Sequence, residues 1–308
     1  MPVFVGIDVA KASLAVALYP GEQQLEVGND AAGHKALCRW LAAQQVERVL
    51  VEATGGYEQA LVQHLAEHWP VVRIPPHRAR AFAVAIGKVA KTDPIDAAVL
   101  ARLAAVVDGP EVTPLRAVDA RLQALVRRRE QLVAQRDDER RRQQQATDRC
   151  VRSSLLRQIR QLAREVARLD RDIAACVPQC DSERAQRLRS VPGLGPVTVA
   201  TLMAFLPELG QLGNRQISAL VGLAPYNCDS GNRQGLRRIR GGRANVRRIL
   251  YMASWSVVRH QPAFKARYAA LRARGKCAKV ALVACMRVLL IRLNAMIRDA
   301  SEWRMAAG

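Results

Sequence analysis

The chain has 308 residues, half of them hydrophobic, which is enough for two domains with separate cores. Its formal net charge of +21 indicates a polyanionic partner, and nucleic acid is the most common one. The N-terminal stretch MPVFVGIDVAKASLAV has no basic start and carries an aspartate in its apolar run, so we expect no signal peptide and a cytoplasmic protein.

Arginine dominates the basic residues: of 48 lysines and arginines, seven are lysines and 41 are arginines. A GC-rich genome explains such a bias, and so does phosphate binding, because the planar guanidinium can bind one phosphate at two points. The seven cysteines are scattered and form no CxxC pair, so we expect reduced thiols. They are Cys38, Cys150, Cys176, Cys180, Cys228, Cys277 and Cys285.

Residues 1–112 alternate between strand and helix patterns. VFVGIDVA and SLAVALY predict two strands joined by a turn, and RVLVEAT and VVRIP predict two more. Helical patterns cover 33–44 and 56–68. This alternation predicts an α/β domain.

Residues 113–184 have the apolar spacing of a coiled coil. The pattern predicts two long helices, either folded back on each other or paired with another protomer. The arginines at 127–129 and 140–142 form either a basic surface or an ordinary solvated helix face. The apolar positions of the seam are 118, 122 and 125, followed by Leu155, Ile159, Leu162, Val166, Leu169 and Ile173.

Residues 185–308 predict a mostly helical domain. In SVPGLGPVTVATLMAF, Gly193 and Gly195 are typical of a helix-hairpin-helix turn, where a helix N-terminus approaches a phosphate. An ordinary tight turn between helices is the alternative. Arg287 and Arg292 interrupt the apolar stretch KVALVACMRVLLIRLNAMI, which therefore predicts a buried helix and not a membrane span.

Four carboxylates of the first domain occupy unusual positions. Asp8 lies inside an apolar strand, Glu52 ends another, and Asp93 and Asp96 flank Pro94 at a helix start. The last two have another explanation, because an aspartate caps a helix and suits its positive N-terminus. That explanation does not account for Asp8 or Glu52, since a charge in an apolar strand is costly unless it is paired or bound to metal. Oxygen ligands without accompanying His or Cys favour Mg²⁺, with Mn²⁺ as the alternative.

The stretch NCDSGNRQGLRRIRGGR contains a serine, Ser230, followed by arginines and glycines. A serine before a glycine is most often a turn residue or a helix cap. Here the arginines can hold a phosphate and stabilise the charge of an attacked phosphorus, so Ser230 is a candidate nucleophile. The candidate nucleic-acid contacts in this stretch are Arg233, Arg237, Arg238, Arg240, Arg243 and Arg247.

Six sequence motifs occur in a fixed order along essentially the whole chain. The sequence resembles the DEDD transposases of the insertion-sequence "one-ten" family, which are serine recombinases guided by a bridge RNA. The motifs are GIDVAK, VEATGGYE, KTDPIDAAVLA, VPGLGPVTVATL, APYNCDSG and GGRANVRRILYMA.

The resemblance implies an N-terminal domain of the RuvC-like, RNase H-like fold, with Asp8, Glu52, Asp93 and Asp96 as metal ligands. It implies that Ser230 forms a phosphoserine link to DNA, and that the metal and the serine meet across protomers of a dimer or tetramer. The implied partners are donor and target DNA and an RNA encoded by the element, with no membrane. Arg233, Arg243 and Arg247 are then candidates for phosphate contacts near the serine.

Two alternatives remain from the residues alone. One is a junction resolvase or metal-dependent nuclease in which water attacks and Ser230 only binds phosphate. The other is a nucleic-acid-binding protein without catalysis. His64 and His68 are four residues apart on a predicted helix, but without a third ligand they favour surface or core positions.

Overall fold

The computed structural model describes residues 2–87, 93–107, 109, 111–112, 114–226 and 238–303, without the side chains of residues 93, 94 and 238. The chain divides into two compact units, Met1–Leu115 and Arg116–Gly308. Each unit is described by itself.

The first unit contains a mixed five-stranded sheet with the strand order β3-β2-β1-β4-β5. The pairs β1–β2 and β2–β3 are antiparallel, whereas β1–β4 and β4–β5 are parallel. A parallel pair needs a crossover, and helices supply it on both sides of β4 in the sequence. The strands are β1 Val3–Val9, β2 Ser13–Tyr19, β3 Gln24–Gly28, β4 Val46–Glu52 and β5 Val71–Ile74.

Helices cover both faces of this sheet. One face packs Val5 and Ile7 against Leu37 and Leu61, and the other packs Leu50 against Leu100 and its neighbours. The predicted α/β domain is confirmed. The helices are α1 Ala31–Ala42, α2 Gln59–Leu65, α3 Pro76–Ala85 and α4 Asp93–Ala104.

Two elements of the first unit were not predicted from the sequence, β3 and α3. Strand β3 lies at the sheet edge and has no fully buried residue, so its sequence lacks the apolar signal of the central strands. Helix α3 begins at Pro76 and buries only Ala79 and Ala83, which gives it a weak amphipathic pattern.

The second unit is mostly helical, as predicted. Its two short strands, β6 and β7, pair with each other in antiparallel fashion. Its elements are α5 Ala117–Gln145, α6 Arg149–Arg189, α7 Pro196–Phe205, α8 Asn214–Val221, β6 Pro225–Tyr226, β7 Arg238–Ile239, α9 Ala244–His260, α10 Pro262–Ala273 and α11 Ala278–Arg298.

Helices α5 and α6 form an antiparallel pair within one chain. In the middle of α5, Leu132 packs with Leu162 and Val166 of α6, while Leu122, earlier in α5, packs in one cluster with Ile173, later in α6. The helices therefore run in opposite directions, and of the two predicted arrangements the structure has the pair folded back on itself.

Helix α6 is interrupted at Asp181, whose φ of −163° and ψ of 103° are extended. The Asp181 carboxylate accepts a hydrogen bond from the backbone N–H of Arg184 at 2.9 Å, which caps the short helical segment that follows. The segment 182–189 is thus a separate helix start, joined by the turn 190–195 to α7.

Helix α11 runs through the core of the second unit. It is long and apolar enough to cross a membrane, yet half of its most apolar window is buried within the protein, as in a core helix. Leu289 and Leu293 lie in the main apolar cluster. The buried amide of Asn294 accepts from the N–H of Gly210 and donates to the carbonyl of Leu212, both at 2.8 Å, and so fixes the turn between α7 and α8.

The cysteines differ in accessibility, and this gives a test of the second unit's packing. Cys150 and Cys277 are exposed, whereas Cys176, Cys180 and Cys285 are buried. Burial, followed by a hydrogen bond to Asp119, raises the pKa of Cys180 to about 12, which suppresses its reactive thiolate. In a Cys228→Ser background, we expect maleimide to label Cys150 and Cys277 in seconds to minutes and the three buried thiols only after urea unfolding. Rapid native labelling of Cys180, read by peptide mass spectrometry, would contradict the packing.

Candidate active site

Two of the predicted acids lie at the carboxyl ends of neighbouring parallel strands: Glu52 is the last residue of β4 and Asp8 the last but one of β1. Gly6 lies opposite Leu50 and Ile7 opposite Val51 in the β1–β4 register. Because side chains alternate between the faces of a sheet, Asp8 and Glu52 lie on the same face as Gly6 and Leu50, at the carboxyl ends of the two strands. Both side chains are partly buried.

Helix α4 crosses that same face in close contact with β1. A Cβ atom at Gly6 would overlap the backbone N of Ala101 and the backbone O of Ala97. Only glycine therefore allows the helix to lie this near to the strand. Ala97 and Ala101 extend the small-residue contact to Ala17 of β2.

The direction of α4 is fixed at its other end. The Arg48 guanidinium donates to the carbonyl of Ala104 at 3.1 Å and of Val107 at 2.7 Å. Arg48 lies opposite Phe4, near the beginning of β1. The C-terminus of α4 thus lies at the beginning of the strands, and its N-terminus lies toward their carboxyl ends.

The N-terminal turn of α4 carries Asp93 and Asp96. The structure therefore brings four acid-bearing backbone positions to one edge of the sheet. Asp96 is partly buried, and the side chain of Asp93 is outside the described part. Among the residues that are described, no three His, Cys, Asp or Glu side chains are grouped closely enough to hold a metal.

A fifth carboxylate, Glu58, organises the loop after Glu52 and was not found from the sequence. It is 2% exposed, and one oxygen accepts from the N–H groups of Thr54 at 3.1 Å and Gly56 at 2.9 Å. Its other oxygen is paired with Arg73 of β5 at 3.2 Å. Glu58 thus holds the chain immediately after the β4 end.

Asn29 joins the ends of both acid-bearing strands. Its amide donates to the carbonyl of Ala10, just after β1, at 2.9 Å, and to that of Tyr57, in the loop after β4, at 3.2 Å. His34 shares a 2.9 Å hydrogen bond with the Asn29 carbonyl oxygen. Burial, and then the neighbouring His64, lower the pKa of His34, which favours the neutral ring that donates this bond.

His64 and His68 belong to a row of rings with His34. The centroids of His34 and His64 are 6.3 Å apart and those of His64 and His68 are 5.9 Å apart. His64 is partly buried and His68 is exposed. Both positions agree with the prediction that these two histidines occupy surface or core positions.

Ser230 falls in residues 227–237, outside the described part, together with Arg233 and Arg237. The ends of this segment are defined: Pro225 pairs with Ile239 and Tyr226 with Arg238. The chain therefore leaves and returns at one place. Residues 227–237, which we call the serine loop only because they connect these two paired strands in the sequence, lie outside the described part.

The base of this loop depends on two glycines in mutual contact. Gly222 and Gly242 have φ values of +76° and +70°, which side chains rarely adopt. A Cβ on Gly222 would overlap the carbonyl of Gly241, and one on Gly242 would overlap the backbone N of Gly222. The N–H of Arg243 donates to the carbonyl of Leu220 at 3.0 Å and closes the base.

Arg243 binds protein groups at this base. Its guanidinium forms two bonds to Glu208, of 2.5 and 2.6 Å, and a third to the carbonyl of Phe205 at 2.9 Å. Arg247 donates to the carbonyls of Val221 at 3.1 Å and Gly241 at 2.5 Å. Both arginines, candidate phosphate contacts from the sequence, thus shape the loop base.

Two other arginines near the loop are more open. Arg240 is exposed. The guanidinium of Arg248 is 3.4 Å from Glu130, with 69% of its side chain exposed.

The glycines of the 190–195 turn have different surroundings. Gly193 has a φ of +99°, and a Cβ there would lie 2.9 Å from a Val257 methyl, so this glycine is needed for packing on α9. Gly195 is exposed at the N-terminus of α7, and a Cβ there would meet no atom within 4 Å. The N-terminus of α7 is thus open at Gly195.

The first unit thus carries acids near the carboxyl ends of two parallel strands, and the mostly helical second unit carries an arginine-rich stretch of sequence. Residues 5–152 match the model of the IS110 DEDD transposases. Residues 185–269 match the model described as the transposase IS116/IS110/IS902 family. The chain belongs to the IS110 family of transposases and is a recombinase of DNA.

Some relatives match nearly the whole chain, and others match a shorter part of it. The pilin gene-inverting proteins of Moraxella bovis and Moraxella lacunata are each 28% identical over 310 aligned positions, which include 96% of this chain and 96% of theirs. The transposase for insertion sequence element IS1111A of Coxiella burnetii is 33% identical over 81 residues, 26% of this chain and 22% of that protein.

The buried carboxylate Glu58 gives a prediction for the first unit. We expect Glu58→Ala to destabilise the unit by about 2–4 kcal/mol, because it leaves two N–H groups without their acceptor, while the half-exposed Arg73 is solvated by water instead. Hydrogen exchange in increasing urea, read on peptides of β4 and β5, measures this. Glu22→Ala, at an exposed turn, is the matched control and should change stability by less than about 0.5 kcal/mol. Equal effects of the two substitutions would contradict the bridging role.

The pairing of Arg243 with Glu208 is tested by a double-mutant cycle. Arg243→Ala and Glu208→Ala should each lower stability, with a coupling energy of about 1–3 kcal/mol, because two charged hydrogen bonds are shared. Thermal unfolding of the single and double variants without nucleic acid gives the value. A coupling near zero, with DNA affinity lost only in Arg243→Ala, would instead identify Arg243 as a phosphate ligand.

Proposed function

We propose that this transposase cuts and rejoins DNA through a covalent phosphoserine at Ser230, with the help of a divalent cation held by the first unit. The observation that carries the proposal is the shared edge of Asp8, Glu52 and the N-terminal turn of α4. The loop defined by β6 and β7 supplies the serine and its arginines.

The acids suit a hard cation. Carboxylate oxygens without His or Cys favour Mg²⁺, and Mn²⁺ accepts the same ligands. Asp8, Glu52, Asp93 and Asp96 would hold it, and the family's DEDD designation is consistent with this set. When bound, the cation supplies Lewis-acid stabilisation of the charge that develops on the phosphate.

The chain's own residues would do the rest. The Ser230 oxygen forms a bond to phosphorus, the phosphodiester bond to one deoxyribose oxygen breaks, the serine proton passes to solvent and the leaving oxygen takes up a proton. Rejoining reverses these steps with the deoxyribose hydroxyl of a new strand as nucleophile. Arg233, Arg237, Arg238 and Arg240 would bind the phosphates, while Arg243 and Arg247 keep the loop base in shape.

The first unit is best interpreted as a RuvC-like, RNase H-like domain. The strand order β3-β2-β1-β4-β5, with three strands antiparallel and β4 and β5 parallel to β1, supports this. Residues 1–112 would then be the metal-binding domain, 113–184 a coiled-coil segment and 185–308 the domain that carries the serine. Within the last, the turn around Gly193 and Gly195 would act as a helix-hairpin-helix, with Gly195 facing a phosphate.

The substrates would be a donor and a target DNA, chosen by pairing with an RNA that the element encodes, and the protein would act as a dimer or tetramer. The proposed reactions include DNA inversion, because the Moraxella relatives that match 96% of the chain are pilin gene-inverting proteins. Excision, insertion and inversion all need the same cut-and-rejoin chemistry, and differ in how the sites are arranged.

The test is the covalent adduct. Purified protein is mixed with element DNA ends, candidate RNA and Mg²⁺, then denatured and analysed for a protein–DNA adduct. We expect an adduct on Ser230 and a loss of at least about a thousandfold in Ser230→Ala, because the nucleophile is removed. Ser301→Ala is the matched control and should keep the adduct.

The cation is tested in the same way, with binding as an independent reading. Asp8→Asn should lose the adduct and weaken Mn²⁺ binding measured by titration calorimetry. Cleavage that persists in Ser230→Ala, without an adduct but still lost in Asp8→Asn, would favour a water-using nuclease and contradict the serine mechanism.

A further inference from the structure

A row of arginines follows the solvent side of α6. Six of them, Arg149, Arg157, Arg160, Arg164, Arg168 and Arg171, are exposed, and we call them the arginine stripe. At 100° per residue they fall within a sector of about 100° of the helix circumference. The buried seam residues Ile159, Leu162 and Val166 lie on the opposite side.

The arginines of the stripe form no close ion pairs with acids in the described part of the chain. Within the described part of the chain, none of the six pairs with a carboxylate, and Arg157 alone of them makes a side-chain bond, to the hydroxyl of Ser153 at 3.0 Å. Asp170, on the same helix, forms an ion pair with Arg129 of α5 at 2.5 Å. The six guanidinium groups therefore face solvent without a close ion pair to any described acid, although Glu165 and Asp172 of the same helix lie next to Arg164 and Arg171 in the sequence.

Helix α5 provides the contrast within the same hairpin. Its exposed Arg140, Arg141 and Arg142 each pair with an acid three residues earlier, Asp137, Asp138 and Glu139. Such pairs are typical of an ordinary solvated helix face. Six arginines without such pairs on the companion helix carry a like-charge repulsion that a bound polyanion relieves.

From this contrast we propose that the arginine stripe binds the phosphate backbone of a double-stranded nucleic acid. The surface lies outside the loop and the acids of the proposed reaction, and its role depends on neither. The stripe extends about 33 Å from Arg149 to Arg171, the length of about ten base pairs of B-form DNA.

A duplex backbone fits this surface better than a single strand or a protein. Residues 149–171 contain no Phe, Tyr or Trp, so the helix offers no platform on which unpaired bases stack. Protein interfaces need a buried apolar centre, and α6 exposes just two large apolar side chains, Val151 at 50% and Leu156 at 39%. Guanidinium groups at helical spacing instead suit phosphates, which DNA and RNA duplexes share.

The test compares two triple variants with the same change in charge. Arg160, Arg164 and Arg171 are changed to Gln in one, and Arg140, Arg141 and Arg142 to Gln in the other. Both are made in the Ser230→Ala background, so binding is measured without any covalent step. Affinities for duplex DNA and duplex RNA of about 20 base pairs are measured at several salt concentrations by fluorescence anisotropy. Circular dichroism confirms that both variants are folded.

We expect the stripe variant to lose at least tenfold in affinity and its log–log salt slope to shrink by about 2–3, because three phosphate contacts are removed. The α5 variant should keep both values near those of the parent. Loss in the DNA arm alone or the RNA arm alone identifies the duplex that is bound, and both support the proposal.

Equal losses in the two variants would overturn the proposal, since net charge alone would then explain them. Unchanged binding in the stripe variant would overturn it as well. Either result leaves the adduct at Ser230 untouched, and a missing adduct in the parent protein would leave the stripe result unaffected.

Discussion

The first unit depends on how closely α4 approaches β1 at Gly6. A side chain at that position would overlap the helix backbone at Ala97 and Ala101, so the absence of a Cβ sets the distance between helix and sheet. The same contact, with Arg48 holding the other end of the helix, turns the N-terminus of α4 toward the strand ends. This one packing constraint therefore places the turn that carries Asp93 and Asp96 at the sheet edge where the strands of Asp8 and Glu52 end.

The second unit uses arginine in three ways that composition alone does not separate. Arg243 fixes the backbone around a loop through Glu208 and Phe205, and Arg140 neutralises an acid of its own helix. The exposed arginines of α6 have no such partner within the described residues. The 48 lysines and arginines therefore include some that hold the protein's own groups and others that face solvent, and only the second kind is available to a polyanion.

Features that depend on the local sequence were predictable. An acid inside an apolar strand costs free energy unless it has a partner, so the sequence identifies Asp8 and Glu52 as candidate site residues. Pro94 predicts the start of α4. The apolar spacing along α6 predicted the seam, with Ile159, Leu162, Val166 and Ile173 buried. The ion pair of Glu58 with Arg73 and that of Arg243 with Glu208 were not predicted, because the paired residues are 15 and 35 positions apart in the sequence. The residues next to an arginine in the sequence do not determine whether its guanidinium binds a phosphate or a carboxylate distant in the sequence.

The mutual contact of Gly222 and Gly242 fixes the residue type at these two positions, whereas the residues between β6 and β7 are free of this constraint. Each glycine leaves the space that backbone near the other occupies, so neither position tolerates a side chain. The pairing of β6 with β7 then sets where the intervening segment starts and ends, whatever its length or composition. A relative's segment grafted between Tyr226 and Arg238 would therefore begin and end on the same pair of strands, so the sequence of this segment can change while its two attachment points stay in place.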